Sequence, residues 1–373
     1  MKNLKFKPLN FAVLAIIYFV LGSAIIDPSA TLLAGSATLA FISGTLLSFS
    51  GISNVLGAVE VQIWENHIEE EIFKGNEFLN HSFNASEYVI GSKAVHIPQS
   101  GGSGNVVKNR TTFPATIRKR TDTDVIYLID EFTSDPVKIP HADTKELSYD
   151  KRQSVLGEDI DKLKEVVAEW MIQNWLASPA SLGYSASQIP AGNILKTSGT
   201  GTVAATAPGA TGNRKPADIN DLQKLRVYFK QINMWREGKM HILMPPNMEA
   251  EIFPANSAIT AQYMASVTES ERRSGVMYKA QGFQIHTRSS VVSLTVNDVL
   301  NAPGAVGNAD DNEAALVWYE GAVEKAMGPV EFFEDLRNPE HYADIYSFLV
   351  RMGGRARRAD YKGIALLAQA PTT

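Results

Sequence analysis

Seven histidines are the residues here best suited to hold a metal ion or move a proton, and their positions give no sign of either task. His67, His81, His96, His141, His241, His286 and His341 show no H-E-x-x-H motif, no pair at helical ligand spacing and no adjacent acidic cluster of the metal-binding kind. They are read as surface or packing residues. The acids Asp122, Asp124, Asp130 and Glu131 suggest a general acid/base or calcium cluster. Alternation along strands sends them to different faces, so solvated turns and subunit salt bridges are the better expectation. No G-x-S-x-G elbow and no G-x-x-x-x-G-K-[ST] loop is present; Gly101-Gly102-Ser103-Gly104 opens no helix and reads as a loop tip. With no cysteine there is no thiolate nucleophile, no disulfide and no cysteine zinc site. No catalytic, cofactor-binding or metal-ligating residue is therefore assigned, no cofactor is expected, and the chain is expected not to be an enzyme.

Arg351, Arg355, Arg357, Arg358 and Lys362 form the densest basic cluster. It suits weak, non-specific neutralisation of DNA phosphates. Ion pairs between subunits, with acids such as Glu65, Glu69 and Glu70, are the preferred reading. The net charge of −5 excludes a dedicated nucleic-acid binder with a strongly basic domain. A length of 373 residues suggests two or three subdomains, and 45% hydrophobic residues supply enough apolar material for real cores.

The elements that must position these residues begin with an unusual stretch. From Pro8 to Val59 the only charge is Asp27. Three readings stand: a secretory signal, a membrane hairpin broken by Gly35, Gly44 and Gly51, or an apolar arm packed against other subunits, the last being preferred. Ala58–Asn80 has the spacing of an amphipathic helix. Strands are expected at Glu87–Pro98, Arg110–Arg120 and Asp124–Phe132, with Gln99–Asn105 as a flexible tip. That makes a long exposed excursion with little core of its own. Gly157–Leu176 carries Ile160, Leu163, Val167, Trp170, Met171 and Trp175 at helical spacing, so a long helix with those residues inward is expected. Ser181–Pro216 reads as a long loop. Asp218–Trp235 reads as a second helix leading into a buried strand, Met240–Met244, stopped by Pro245-Pro246. A short helix near Asn247–Phe253 follows, then strands at Gly282–Thr287, Ala314–Tyr319, Val330–Glu334, Asp344–Met352 and Lys362–Gln369.

This order, together with Arg120-Thr121-Asp122-Thr123-Asp124 through Asp130-Glu131-Phe132, the helix after Leu147-Ser148-Tyr149-Asp150-Lys151, Ile242-Leu243-Met244-Pro245-Pro246, and Gly353-Gly354 to Asp360-Tyr361-Lys362-Gly363-Ile364, resembles the major capsid proteins of tailed bacteriophages. The resemblance covers roughly residues 60–370 and rests on order and spacing, not on a strict motif. It implies an α+β chain of the Hong Kong 97-type capsid fold. The division it implies is an apolar amino-terminal segment (1–59), an amino-terminal arm (60–86), an extended loop (87–135), a peripheral domain with a spine helix (136–215 and 313–373) and an α/β axial domain (216–312). It also implies self-assembly into hexamers and pentamers of an icosahedral shell enclosing phage DNA. Portal, scaffolding or decoration proteins would be partners, and assembly in the host cytoplasm would deliver the chain to the virion. An encapsulin-like compartment and a signal-anchored envelope protein are the alternative functions.

Overall fold

The computed structural model describes residues 50–73, 76–90, 93–99, 106–114, 117, 122–140, 151–180, 185–255, 257–273, 275–276 and 278–372. Most of the apolar segment (8–49), the expected loop tip (100–105) and the end of the expected second strand (118–120) lie outside them. Contacts divide the chain into Met1–Ile63 and Trp64–Thr373. The described part of the first unit belongs to a helix, Ser50–Phe73, which starts before the expected Ala58. Among the described residues no helix is long and apolar enough to cross a membrane.

Two sheets organise the second unit. In the first, of five strands, Phe83–Asn84 lies parallel to Val323–Asn338, which pairs antiparallel with Ala343–Ala356. The other edge of Ala343–Ala356 takes Asp130–Thr133 and Val137–Pro140. The two long strands, of 16 and 14 residues, outrun the expected Val330–Glu334 and Asp344–Met352. Gly353 and Gly354 do not end the strand, whose ladder continues through Ala326↔Gly353 and Lys325↔Gly354, and Gly354 is where the long helix comes close.

That helix is Lys151–Leu176, packed on Ala343–Ala356. Ile160, Leu163, Val167, Met171 and Trp175 are buried as expected, but Trp170 is 43% exposed. Successive helix residues project about 100° apart, so the face that buries Val167 and Met171 leaves Trp170 at its margin. Trp175, 0% exposed, is the inward ring; it donates from Nε1 to the Glu324 carbonyl at 2.9 Å. A Cβ on Gly354 would meet that same carbonyl oxygen, Met171 Cε at 2.6 Å and Trp175 Nε1 at 3.0 Å. Gly354→Ala is therefore expected to push the helix off the sheet and destabilise the chain by about 1–3 kcal/mol, the usual cost of overpacking. A denaturant midpoint equal to that of the parent would contradict this close approach.

The second sheet has seven strands, in the order Tyr278–Ala280, Phe283–Thr287, Met240–Met244, Asn312–Tyr319, Ile364–Ala368 and Ile194–Lys196, with Val292–Leu294 beside Asn312–Tyr319. Strand alternation splits its residues between two faces. Met240, Ile242, Met244, Phe283 and Ile285 join Leu222, Leu225 and Phe229 of a covering helix in one core. This helix, Ile219–Gln231, is shorter than the expected Asp218–Trp235: Asp218 is its cap, in a capping box with Asp221. Pro245 ends the Met240–Met244 strand, and Pro246 opens the helix Pro246–Ile252, where a missing N–H costs nothing.

One expectation of irregular chain is corrected. The Ser181–Pro216 stretch holds the strands Ile194–Lys196, Val203–Ala204 and Asn213–Lys215. Buried Arg214 fixes it by donating to Asn312 Oδ1 and to the carbonyls of Thr211, Asn213, Ala309 and Asp311. The excursion, in turn, has a small core. Its described strands are Val89–Ile90, Ala94–Gln99 and Thr123–Leu128, and Val95 and Ile97 face Tyr127 and Val125 across the register. With Ile129 they pack against Ala85 and Ala326. A 3-10 turn, Ser86–Tyr88, replaces the start of the expected Glu87–Pro98 strand. Arg110–Pro114 carries no strand where Arg110–Arg120 was expected to begin one.

Candidate assembly interface and a buried histidine cluster

The excursion's far part places large apolar side chains in water. Val106 is 95%, Phe113 75% and Ile117 98% exposed. Phe333, Leu336 and Tyr342, around the turn of the long hairpin, are exposed as well. Each ring or branched chain left out of a core forfeits roughly 1.5–3 kcal/mol of burial, which a partner surface would recover. The base of the excursion is held to the body by polar bonds: Gln99 Nε2 donates to the Arg357 carbonyl, and Arg355 Nη1 donates to the Ile126 carbonyl at 3.1 Å.

The basic cluster does not wait for acids of another subunit. Arg351 pairs with Glu131 and Glu331, Arg357 with Glu324, and both Arg358 and Lys362 with Asp360, all within this chain. Arg358 donates to Asp360 through two bonds of 2.9 Å, and these bonds come first among the causes that hold the Asp360 carboxyl at about 2. Four of the five cations thus have an acid within their own chain, and Arg355 donates instead to the Ile126 carbonyl and to Ser187 Oγ. Glu65 instead accepts from the Phe332 backbone N–H. Three of the four acids go to separate partners: Asp124 meets His96 at 2.7 Å, Asp130 accepts from Asn174, and Glu131 pairs with Arg351.

The histidines hold a surprise. Three of them, His81, His241 and His286, far apart in sequence, present ring nitrogens that all lie within 4.8 Å of one another. The Met240–Met244 and Phe283–Thr287 strands are parallel neighbours, and the register His241↔Gln284 and Leu243↔His286 puts both imidazoles on the sheet face away from the main core. Trp318 lies opposite His241 on the antiparallel neighbour. His81 arrives from the turn after the 3-10 helix Glu77–Asn80, and its carbonyl accepts from Trp318 Nε1 at 2.8 Å. The His81 and His241 rings stack with centroids 4.2 Å apart. His241 Nδ1 is 3.2 Å from His286 Nε2, and His241 Nε2 is 3.1 Å from Glu320 Oε1. Burial pushes His241 down to about 2 and His286 to about 3, and burial also lowers His81 against the pull of Glu320, so the rings are neutral near pH 7. His241 and His286 are buried and His81 is partly buried, and the scattered spacing in the sequence concealed that they meet.

No family model matches the sequence, and no curated protein matches it. Solved structures do match. The capsid of Ralstonia phage GP4 is similar at a TM-score of 0.57 and 13% identity, over 79% of this chain and 88% of that one. The capsid of cyanophage Pam1 is similar at 0.53 and 8% identity, over 77% and 88%. The head of Helicobacter pylori bacteriophage KHP40 is similar at 0.51 and 9% identity, over 77% and 89%. The fold is the phage-capsid fold of the Hong Kong 97 type.

Within this capsid fold the sequence had announced the long helix, the two late strands and the α/β sheet through their apolar periods. It had not announced the histidine cluster. The one available signal was that His241 and His286 each sit inside an apolar strand, Met240–Met244 and Phe283–Thr287, where a buried polar ring needs partners.

Proposed function

We propose that this chain is a tailed-phage major capsid protein, a structural subunit whose copies close an icosahedral shell around double-stranded DNA. The observation that carries the reading is the exposed apolar set Val106, Phe113 and Ile117 on an excursion whose base is bonded to the body, in a chain with the capsid fold. Such side chains call for a partner surface, and in a closed assembly of identical subunits that surface is another copy. The excursion, Glu87–Asp135, then serves as the extended loop lying over a neighbour. Lys151–Leu176 is the spine of a peripheral domain (136–215 and 313–373), and 216–312 forms most of the axial domain. Hexamers and pentamers are the assembly units. Portal, scaffolding or decoration proteins join them, and packaged DNA makes weak, non-specific contact. Assembly proceeds in the host cytoplasm and the product resides in the virion.

The sequence has no cysteine, so a single introduced thiol reports on one place. Phe113→Cys is expected to react with a maleimide at least tenfold more slowly in assembled material than in subunits dissociated by mild denaturant. Equal rates in the two states would show that the excursion does not lie on a neighbour.

A further inference from the structure

We propose that His81, His241 and His286 form a binding site for a divalent transition-metal ion of the zinc class, with Glu320 as the outer carboxylate that orients one of the imidazoles. Three neutral imidazoles are the ligand set that such ions prefer. The spacing supports the assignment. With zinc–nitrogen bonds of about 2.0–2.1 Å, two ligands of a tetrahedral site stand about 3.3–3.4 Å apart. His241 Nδ1 and His286 Nε2 are already 3.2 Å apart. Two neutral rings meeting nitrogen to nitrogen need one to donate; a shared metal ion satisfies both lone pairs instead.

The other nitrogens fit the same picture. Metal-ligating histidines usually donate their second ring N–H to a carboxylate or a backbone carbonyl. His241 Nε2 has Glu320 Oε1 at 3.1 Å, which leaves Nδ1 as the ligand atom. His286 Nδ1 is buried without a completed hydrogen bond, whereas Nε2 is the nitrogen that faces His241, so Nε2 is the ligand atom. His81 is the adjustable member. Its side chain is 22% exposed on a turn, and its Nδ1 is 3.7 Å from Glu320 Oε1, so an ion has a way in and the third ligand can close on it. The ion would fasten the segment that carries His81 to the seven-stranded sheet at Trp318, and its role would be structural. This site does not depend on the shell reading.

The test uses the full-length chain, stripped with a chelator and dialysed, with zinc chloride as the probe. Titration calorimetry and metal analysis are expected to show one zinc ion per chain. Saturating zinc should raise the thermal midpoint by about 5 °C or more. The zinc absorption edge of the loaded protein should report three imidazole nitrogens in its first shell. His81→Ala, on the half-exposed turn, should weaken binding at least tenfold while leaving the zinc-free midpoint within a few degrees of the parent, and His286→Gln should abolish binding. Absence of stoichiometric zinc, unchanged affinity in His81→Ala, or an oxygen-dominated shell would overturn the assignment. Should His286→Gln fail to fold, the absorption spectrum of the parent and the His81→Ala affinity still decide it.

Discussion

Trp175→Ala is expected to cost the folded chain about 3–5 kcal/mol, while Trp170→Ala, five residues earlier on the same helix, stays within about 1 kcal/mol of the parent. The difference follows from where the helix turns each ring. Trp175 is fully buried, with Phe78 edge-on at 6.0 Å and Trp318 at 5.8 Å between centroids. Truncation opens a cavity that these rigid rings cannot fill. It also leaves the Glu324 carbonyl without the Nε1 donor, beneath a strand where Gly354 marks the closest approach of helix and sheet. Trp170 loses only a partly solvated contact. Urea titration at a fixed assembly state reads both, as a shift of midpoint at unchanged slope. Equal losses in the two variants would mean that the helix is rotated about its axis from the orientation described.

The second large effect is on assembly. The triple substitution Val106→Asp, Phe113→Asp and Ile117→Asp is expected to reduce the yield of particles at least tenfold and leave the subunit folded. In the isolated chain these side chains already face water, so the new carboxylates cost the fold little. Against a neighbour each would be stripped of water without a partner, at several kcal/mol per charge, and a shell repeats that cost at every subunit. The small core of the excursion, Val95, Ile97, Val125 and Tyr127, is untouched. Circular dichroism checks the fold and sedimentation the assembly. Normal particle yield would remove the excursion from the interface, and loss of the soluble fold would show that its far part belongs to a core.

What the sequence made legible was whatever depends on local period. Ile160, Leu163, Val167 and Met171 recur at helical spacing, and Met240–Met244 reads as buried because all of its residues are. Trp170 was misjudged because a large ring one residue before Met171 fits the apolar count as well as the apolar face. The residues of the excursion's small core were not legible because that core is made by pairing: Val95 gains its neighbours only when Tyr127 arrives opposite, and nothing near either residue announces that register. The basic cluster was given to other subunits for the same reason. Arg351 and Glu131 meet only because Ala343–Ala356 takes Asp130–Thr133 along its edge. His81, His241 and His286 are the extreme case, brought together by a turn and two strands whose adjacency is purely tertiary. Even Glu320, which touches two of the rings, lies in a short 3-10 turn with no motif around it.

The claim that this chain is a shell subunit is tested most directly by electron microscopy of the full-length protein, expressed alone and purified without denaturant. The account predicts closed particles, or rings of six and five subunits that close on raising the protein concentration. A homogeneous monomer at micromolar concentration, with no larger species in the field or in light scattering, would contradict it.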